Sequence, residues 1–236
     1  MRALEGRQLR LRDCPNARDL GGLPAAGGRR TRFGSVVRSG TPERLGPDGW
    51  EALAAHGIRT VIDLRNPDER GADAAPRPGG MSTVHIPLDG VEHADFWREW
   101  SRGPQFGTPL YFRPHLERFP ERSARVLAAV ARAEPGGVLV HCVTGRDRTG
   151  QVAMLLLSLA GVSPEAIAAD YARSTDARDG AAIERFLAER GTSAREALLA
   201  TLSTLDPEER LRAGGLGEHD IAALRERMLE PGAAGG

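Results

Sequence analysis

The sequence of 236 residues predicts an α/β fold with a mainly parallel central sheet, flanked by helices and followed by a C-terminal helical layer. Short, apolar, β-branched segments alternate with helical patterns through most of the chain, and helical patterns alone follow. The length suits one domain. We therefore expect a single domain over residues 1–236, with its core at about 10–180, C-terminal helices at 181–230 and a frayed tail at 231–236.

The predicted strands are short and apolar, as buried parallel strands are. The candidates in chain order are 35–38 (SVVR), 60–64 (TVIDL), 83–87 (TVHIP) and 138–141 (VLVH). Helical or irregular segments separate them, so neighbouring strands can run parallel.

Helices are predicted where apolar residues recur at helical spacing. These segments are 47–56, 113–134 with a break or bend at Pro120, 149–160, 163–173, 178–190, 194–204 and 218–229. Gly57 and Gly161 end two of them, and Ser163 is an N-cap residue. The segment 89–107 carries Phe96, Trp97 and Trp100 among charged residues. It predicts either a mobile lid or a helix that packs its aromatic side chains on the core.

The composition excludes several classes of protein. All 32 basic residues are arginine, which excludes the usual forms of P-loop ATPases and GTPases, protein kinases and Schiff-base enzymes, because each needs a lysine. The 32 acidic residues bring the net charge to zero, so we expect no binding to nucleic acid.

Other features predict a cytoplasmic location. The N-terminus has no signal-peptide pattern, and the longest apolar run, 152–162, is too short to cross a bilayer. Two cysteines form no disulfide framework, and no cysteine–histidine spacing is typical of zinc. We expect a cytoplasmic protein with no cofactor, no metal and no stable membrane insertion. Leaderless export stays open, and the sequence does not indicate the oligomeric state.

The segment 138–150 (VLVHCVTGRDRTG) joins a predicted buried strand to a predicted buried helix. Cys142 and Arg148 are separated by five residues in it. Such a turn can direct backbone N–H groups and the helix N-terminus at an anion, and Arg148 can bind two oxygens of a tetrahedral dianion. We predict a phosphate-binding loop, with Gly145 supplying an unusual backbone conformation. Its residues are Val143, Thr144, Gly145, Arg146, Asp147 and Arg148.

The same positive field favours the thiolate of Cys142, which is the nucleophilic form. A thiolate beneath a bound phosphate can attack phosphorus to form a cysteinyl-phosphate, which water then hydrolyses. Thr149 could donate a hydrogen bond to the sulfur, and we expect His141 to bond the backbone rather than act as a base. A buried structural cysteine is the alternative. The glycine, threonine and arginines around the thiol favour a reactive cysteine over a structural one.

The string HCVTGRDRTG at 141–150 resembles the HCxxGKDRTG signature of the bacterial tyrosine phosphatase family related to mycobacterial protein tyrosine phosphatase B. Further segments resemble the family's other elements in the same order, over about residues 10–180. They are NARDLGG at 16–22, VRSG at 37–40, GIRTVIDLR at 57–65 with Glu69 after it, and DYARS at 170–174.

This resemblance implies the cysteine-phosphatase fold and the hydrolysis of phosphotyrosine. Some members of the family also hydrolyse phosphoserine, phosphothreonine or phosphoinositides. It also implies supporting roles for Asn16, Arg18, Asp19, Asp63 and Arg65, of which Asp63 beside Arg65 looks structural. One departure is Arg146, which stands where the family has a lysine linked to broad or phosphoinositide specificity.

The proton donor to the leaving group has two candidates. Asp89 follows the predicted strand 83–87 and matches a position where the family carries an acid. Asp147 lies within the loop and resembles the loop acid of myotubularin-type lipid phosphatases. We favour Asp89, because a neighbouring arginine would oppose protonation of Asp147. Cys14 could form a reversible disulfide with Cys142, although an incidental thiol is the simpler interpretation.

The leading hypothesis is a metal-independent phosphomonoester hydrolase, a protein tyrosine or dual-specificity phosphatase with a cysteinyl-phosphate intermediate. Its substrate would be a phosphorylated protein or a phosphoinositide. The alternatives are a phosphoinositide phosphatase, a rhodanese-type sulfurtransferase and a non-catalytic phosphate-binding module. Arg148 and Thr149 fit phosphate esters better than sulfur transfer, and their presence with Cys142 argues against a loop that has lost activity.

Overall fold

The computed structural model describes residues 6–101, 103–174 and 180–232, and these residues contain a five-stranded central sheet. The strands are β1 (Arg18–Asp19), β2 (Val36–Ser39), β3 (Ile58–Asp63), β4 (Ser82–His85) and β5 (Gly137–His141), in the order β1-β2-β5-β3-β4. β1 pairs antiparallel with β2, and all other pairs are parallel. The predicted mainly parallel sheet is therefore confirmed.

Burial differs between the centre and the edge of this sheet. β5 lies between β2 and β3, and all five of its residues are buried. β4 is the edge strand and is largely exposed, with Val84 at 39% exposure. The expectation that TVHIP is a buried strand is therefore wrong. A β-branched run does not report whether a second strand or helix will cover it.

Helices cover both faces of the sheet. Their bounds are α1 Pro47–Ala55, α2 Ala94–Trp100, α3 Phe112–Arg118, α4 Pro120–Ala131, α5 Arg148–Leu159, α6 Pro164–Tyr171, α7 Gly180–Ala188, α8 Ala194–Thr204, α9 Pro207–Ala213 and α10 Glu218–Met228. Short 3₁₀ turns lie at Ala26–Gly28, Pro67–Glu69, Gly103–Gly107 and Pro109–Tyr111. These helices confirm the predicted flanking and C-terminal layers. The start of the predicted helix 178–190 and residues 233–236 of the predicted tail lie outside the described residues.

One detail of the predicted helices is confirmed and another is missing from them. The predicted break at Pro120 is confirmed, since α3 ends at Arg118 and α4 begins at Pro120. The helix α9 was not predicted, because seven residues are too few for a clear period. Its start is nevertheless encoded locally, since the Asp206 side chain accepts hydrogen bonds from the N–H groups of Glu208 and Glu209.

The aromatic segment 89–107 forms a packed helix over Ala94–Trp100 rather than a mobile lid. Trp97 is buried, and its ring meets Phe106 edge-on at 5.6 Å between centroids. The Trp97 Nε1–H donates to the backbone oxygen of Asp89 at 3.1 Å. The packing therefore holds the backbone of Asp89 in place.

The core divides into two clusters, one on each face of the sheet. β5 illustrates the division, since Val138 and Val140 belong to one cluster and Leu139 to the other. The first cluster includes most of α5, which is buried along nearly all its length. No helix within the described residues is long and apolar enough to cross a membrane. The single-domain expectation stays a prediction.

Candidate active site

The predicted phosphate-binding loop lies between the end of β5 at His141 and the start of α5 at Arg148. Gly145 has φ +75°, and a Cβ there would lie 2.3 Å from the backbone nitrogen of Gly40, so a side chain does not fit. The Gly145 N–H points at the Sγ of Cys142 at 3.3 Å. The loop thus folds back over its own cysteine and directs a backbone donor at the sulfur.

Contacts from other segments hold the outer side of this loop. Asn16 Nδ2 donates to the backbone oxygen of Thr144 at 2.8 Å, and the N–H of Thr41 donates to the oxygen of Val143 at 2.9 Å. Arg38 Nη2 donates to the oxygen of Gly145 at 2.8 Å. The sequence indicates no role for Arg38, although the VRSG segment that contains it is part of the family resemblance.

Arg148 is held by two acidic side chains. Its guanidinium makes a bidentate contact with the Glu69 carboxylate, at 2.5 and 2.7 Å, and its Nη1 lies 3.1 Å from Asp89 Oδ2. Burial disfavours the charge of Arg148, but these carboxylates outweigh that effect and raise its pKa. In the sequence, Glu69 is recognisable only as part of a motif, four residues after Arg65 at the end of the GIRTVIDLR block. That position is the one sequence signal for its role.

Asp89 lies behind Arg148 and is 3% exposed. Its Oδ2 accepts a hydrogen bond from Asn66 Nδ2 at 2.9 Å. Burial raises the pKa of the Asp89 carboxyl above its ordinary value, although Arg148 and Asn66 act in the opposite direction. The environment of Asp89 therefore favours a protonated carboxyl at higher pH than usual, as a proton donor requires.

A pocket of about 440 Å³ opens over the loop. Its lining combines polar groups from the loop with apolar groups from the turn at Gly103–Gly107 and from α7. The lining residues are Glu69, Gly103, Pro104, Phe106, Gly107, Cys142, Val143, Thr144, Asp147, Arg148, Ala182 and Ile183. Asp147 is thus a lining residue, whereas Asp89 is not in the lining and contacts the lining residue Arg148.

The side chain of Arg146 is not among the groups that line this pocket. It is 3% exposed, and its Nη2 lies 3.6 Å from Glu184 Oε1 on α7. Arg146 contributes its backbone to the loop, while its guanidinium lies beside α7. The role of Arg146 in phosphate binding and substrate choice stays a prediction.

His141 and Thr149 flank the loop without reaching into the pocket. His141 Nδ1 donates to the backbone oxygen of Cys142 at 3.1 Å, as predicted. Burial lowers the pKa of His141 to about 4, although the charge of Asp63 opposes this, so the ring is neutral at pH 7. The Thr149 hydroxyl donates to the oxygen of Ser39 at 3.4 Å rather than to the sulfur.

Asp63 and Arg65 form a support beneath the loop. Arg65 Nε and Nη2 donate to the two Asp63 oxygens at 2.9 and 2.8 Å. Burial opposes ionisation of Asp63, but the Arg65 bonds outweigh it and lower the Asp63 pKa to about 2. Arg65 Nη1 also donates to the backbone oxygen of Glu69 at 3.3 Å, so this pair positions the residue that holds Arg148.

Arg18 and Asp19, the remaining predicted supporting residues, do not line the pocket. Arg18 donates to Asp170 from Nε and Nη2, both at 3.1 Å. The Asp19 carboxylate accepts the N–H groups of Gly21 and Gly34 and contacts His56 Nε2 at 2.6 Å. Asp19 therefore shapes the N-terminal turn rather than the phosphate loop.

Cys14 packs in the hydrophobic cluster on the face of the sheet opposite to that of Cys142. Its thiol donates to the oxygen of Gly40 at 3.7 Å. Burial raises the pKa of Cys14 to about 11, so it stays a thiol at neutral pH. These surroundings favour an incidental thiol, and the disulfide with Cys142 stays a prediction.

Known proteins resemble this chain over much of its length. A Cupriavidus necator protein with a tyrosine-protein phosphatase name is 36% identical over 180 residues, which are 73% of this chain and 65% of that protein. The chain thus spans slightly less than two thirds of that relative. The triple specificity protein phosphatase PtpB of Mycobacterium tuberculosis is 28% identical over 200 residues, 71% of this chain and 70% of that protein. The crystal structure of P. aeruginosa TpbA aligns with a TM-score of 0.42 at 17% identity, over 78% of this chain and 89% of that one.

A family model covers more of the chain than any of these alignments. The model describes the tyrosine phosphatase family, and it matches residues 9–230. The match includes the phosphate loop, the segments that hold it and the described C-terminal helices. From the loop geometry and this match together, the chain belongs to the tyrosine phosphatase family.

Proposed function

We propose that this protein hydrolyses phosphate monoesters through a cysteinyl-phosphate at Cys142, without a metal ion, and acts as a protein tyrosine or dual-specificity phosphatase. One observation carries the proposal. Cys142 and Arg148 line the same pocket at the start of α5, with the Gly145 N–H directed at the sulfur. A thiolate, backbone donors and a planar cation then surround the place where a phosphoryl group would bind.

In the first step, the Cys142 sulfur forms a bond to phosphorus while the bond from phosphorus to the leaving oxygen breaks. The leaving oxygen takes a proton from the Asp89 carboxyl. Arg148 exchanges its contacts with Glu69 for two non-bridging oxygens of the phosphoryl group, whose charge it stabilises. The remote pair of Asp63 and Arg65 keeps Glu69 in reach, so the arginine returns to its starting position after each turnover.

In the second step, a water molecule attacks phosphorus and the bond between sulfur and phosphorus breaks. The Asp89 carboxylate accepts the proton of that water, which regenerates the acid. The products are inorganic phosphate and the Cys142 thiolate. No other reactant is required.

The pocket lining favours an aryl phosphate as substrate. Phe106 and Ile183 provide apolar walls that suit the ring of phosphotyrosine. Among the lining residues that the structure describes, Arg148 is the only cation, and it is accompanied by Glu69 and Asp147. A phosphoinositide with several phosphates needs further cations, so it is the second candidate. The names of the Cupriavidus and Mycobacterium relatives also support a protein substrate.

The test is turnover of p-nitrophenyl phosphate by the purified chain in the presence of a chelator. We expect turnover that the chelator leaves unchanged and that vanadate inhibits, since vanadate resembles the phosphoryl group in transit. A protein that transfers sulfur from thiosulfate to cyanide and leaves the ester intact would instead be a sulfurtransferase. Phosphate binding without either reaction would indicate a binding module.

Asp89→Asn is expected to lower kcat for phenyl phosphate by roughly 100- to 10,000-fold, the usual contribution of a general acid. Activity requires the protonated carboxyl, so it falls as the pH rises through the Asp89 pKa, which burial raises. The variant should lose this basic limb. Profiles of kcat/KM against pH for phenyl phosphate and for p-nitrophenyl phosphate would check this. The loss of rate should be smaller with p-nitrophenyl phosphate, because its leaving group is better.

Asp147→Asn is the matched comparison, because Asp147 lines the pocket and is the other candidate acid. We expect it to keep the basic limb. If the basic limb persists in Asp89→Asn and disappears in Asp147→Asn, the proton donor is Asp147.

A further inference from the structure

Behind the phosphate loop, three arginines converge on one aspartate. Arg7 Nη2 lies 2.5 Å from Asp170 Oδ1, Arg18 Nη2 lies 3.1 Å from Oδ2, and Arg38 Nη1 lies 3.0 Å from Oδ2. All four side chains are 1% exposed. Ser174 Oγ accepts from both Arg18 and Arg38, at 2.8 and 3.1 Å. Segments far apart in the sequence thus meet in one buried cluster.

This cluster accounts for motifs that the proposed mechanism does not use. Arg18 belongs to the NARDLGG segment, Arg38 to VRSG, and Asp170 and Ser174 to DYARS. Each segment carried part of the family resemblance. None of these side chains lines the pocket over Cys142.

Neutralising Asp170 does not explain three arginines, because the described residues of the cluster comprise three cations and one anion. The other hydrogen-bond acceptors that these described residues supply are neutral, among them the backbone oxygen of Asp19, which accepts from Arg7 Nε at 2.9 Å. Burying positive charge that no anion compensates is costly. The excess therefore indicates that these guanidinium groups make contacts that a neutral side chain could not make. Burial and the charge of Arg18 lower the pKa of Arg38 to about 10, in accord with this excess.

Arg38 differs from its two neighbours in reaching the phosphate loop. Its Nη2 donates to the backbone oxygen of Gly145 at 2.8 Å and lies 3.5 Å from that of Arg146. The oxygen of Gly145 and the N–H of Arg146 belong to one planar trans peptide, so they point in opposite directions. Pulling the oxygen toward Arg38 turns the N–H toward Thr144 Oγ1, at 3.4 Å, and Thr144 lines the pocket.

We propose that Arg38 is a positioning residue of the phosphate site. Anchored on Asp170, it holds the carbonyl of Gly145 outward, so that the N–H of Arg146 is presented to the bound phosphoryl group. Asn16 does the same for the preceding peptide, whose N–H is the one on Cys142 Sγ. This inference rests on one part of the proposed function, namely that the loop binds phosphate.

The test compares Arg38→Met with Arg7→Met. Each variant removes one cation and one Asp170 contact, but only the first removes a contact with the loop. We expect Arg38→Met to weaken binding of inorganic phosphate, measured by calorimetry, by about tenfold, the value of one charge-assisted hydrogen bond. Its kcat for p-nitrophenyl phosphate should fall at least as much. Arg7→Met should lose severalfold less in both measurements, and Arg113→Met, on an exposed side chain of α3, should match the wild type.

Arg38→Lys distinguishes the effect of the hydrogen-bond geometry of Arg38 from the effect of its charge. It replaces Arg38→Met in the comparison if that variant does not fold, and thermal unfolding shows whether each variant is folded. An ammonium keeps the charge but lacks the planar fork that reaches Asp170 and Gly145 together. We expect its phosphate affinity and kcat to fall well below those of the wild type at similar stability. Wild-type values in folded Arg38→Lys, or equal losses in Arg38→Met and Arg7→Met, would overturn the proposal. An inactive wild-type protein that binds phosphate would contradict the phosphatase function and leave the calorimetric comparison valid.

Discussion

Cys142→Ser is expected to lower kcat for p-nitrophenyl phosphate by roughly 10⁴-fold or more, as removal of a catalytic nucleophile does elsewhere. A serine hydroxyl stays protonated under the same backbone donors and attacks phosphorus far more slowly than a thiolate. The loop should keep its shape, because the side chains differ by one atom and the Gly145 N–H can donate to oxygen. Binding of inorganic phosphate is therefore expected to persist.

Two measurements check this prediction. Steady-state turnover gives the loss of rate, and mass spectrometry of acid-quenched wild-type protein should show a phosphoryl group on Cys142 that the variant lacks. Cys14→Ser is the matched control, since Cys14 is a buried thiol in the other hydrophobic cluster. Substantial turnover by Cys142→Ser, or equal losses in the two variants, would rule out Cys142 as the nucleophile.

Arg148→Lys is expected to lower kcat/KM by roughly 100- to 1,000-fold, the usual cost of removing a donor that stabilises transition-state charge. The positive charge remains, but an ammonium cannot donate to two phosphoryl oxygens in the geometry of a planar guanidinium. It also cannot reproduce the bidentate contact with Glu69 that orients Arg148 before substrate binds.

Arg146→Lys is the comparison for this variant, because Arg146 is the neighbouring loop arginine with its side chain outside the pocket lining. We expect a much smaller loss in kcat/KM and little gain in activity on phosphoinositides. Kinetic constants on p-nitrophenyl phosphate and on a phosphotyrosine peptide measure both. A loss in Arg148→Lys as small as the one in Arg146→Lys would mean that Arg148 acts through its charge alone.

The predicted strands and helices largely agree with the structure where the pattern is local and long. α5 is an example, since an apolar run between Gly150 and Gly161 is a strong signal by itself. The predictions fail where the outcome depends on tertiary context or on a short segment. The composition of β4 does not reveal that it is an exposed edge strand, and α9 is too short to show a helical period. The segment 89–107 stayed ambiguous until Trp97 was seen packed against Phe106.

The site divides in the same way. The candidates Cys142 and Arg148 could be found from the sequence, because five intervening residues between a strand and a helix already specify an anion-binding turn. The partners of Arg148 could not be identified, since Glu69 lies 79 positions away in the sequence and Asp89 lies in the segment after β4. The place of the Arg146 side chain beside α7 could not be predicted either, because its neighbour Glu184 is also distant in the sequence.

The family resemblance, the order of the main elements and the expected chemistry of the loop follow from the sequence alone, because each can be recognised from residues adjacent along the chain. Apart from Arg148, the arginines among the 32 that support this chemistry can be identified only from the folded structure. A chain without lysine uses one side chain for every positive charge, so residue type carries no information about role. Role follows from what each guanidinium meets after folding: Glu69 and the pocket for Arg148, Glu184 for Arg146, and Asp170 with the carbonyl of Gly145 for Arg38.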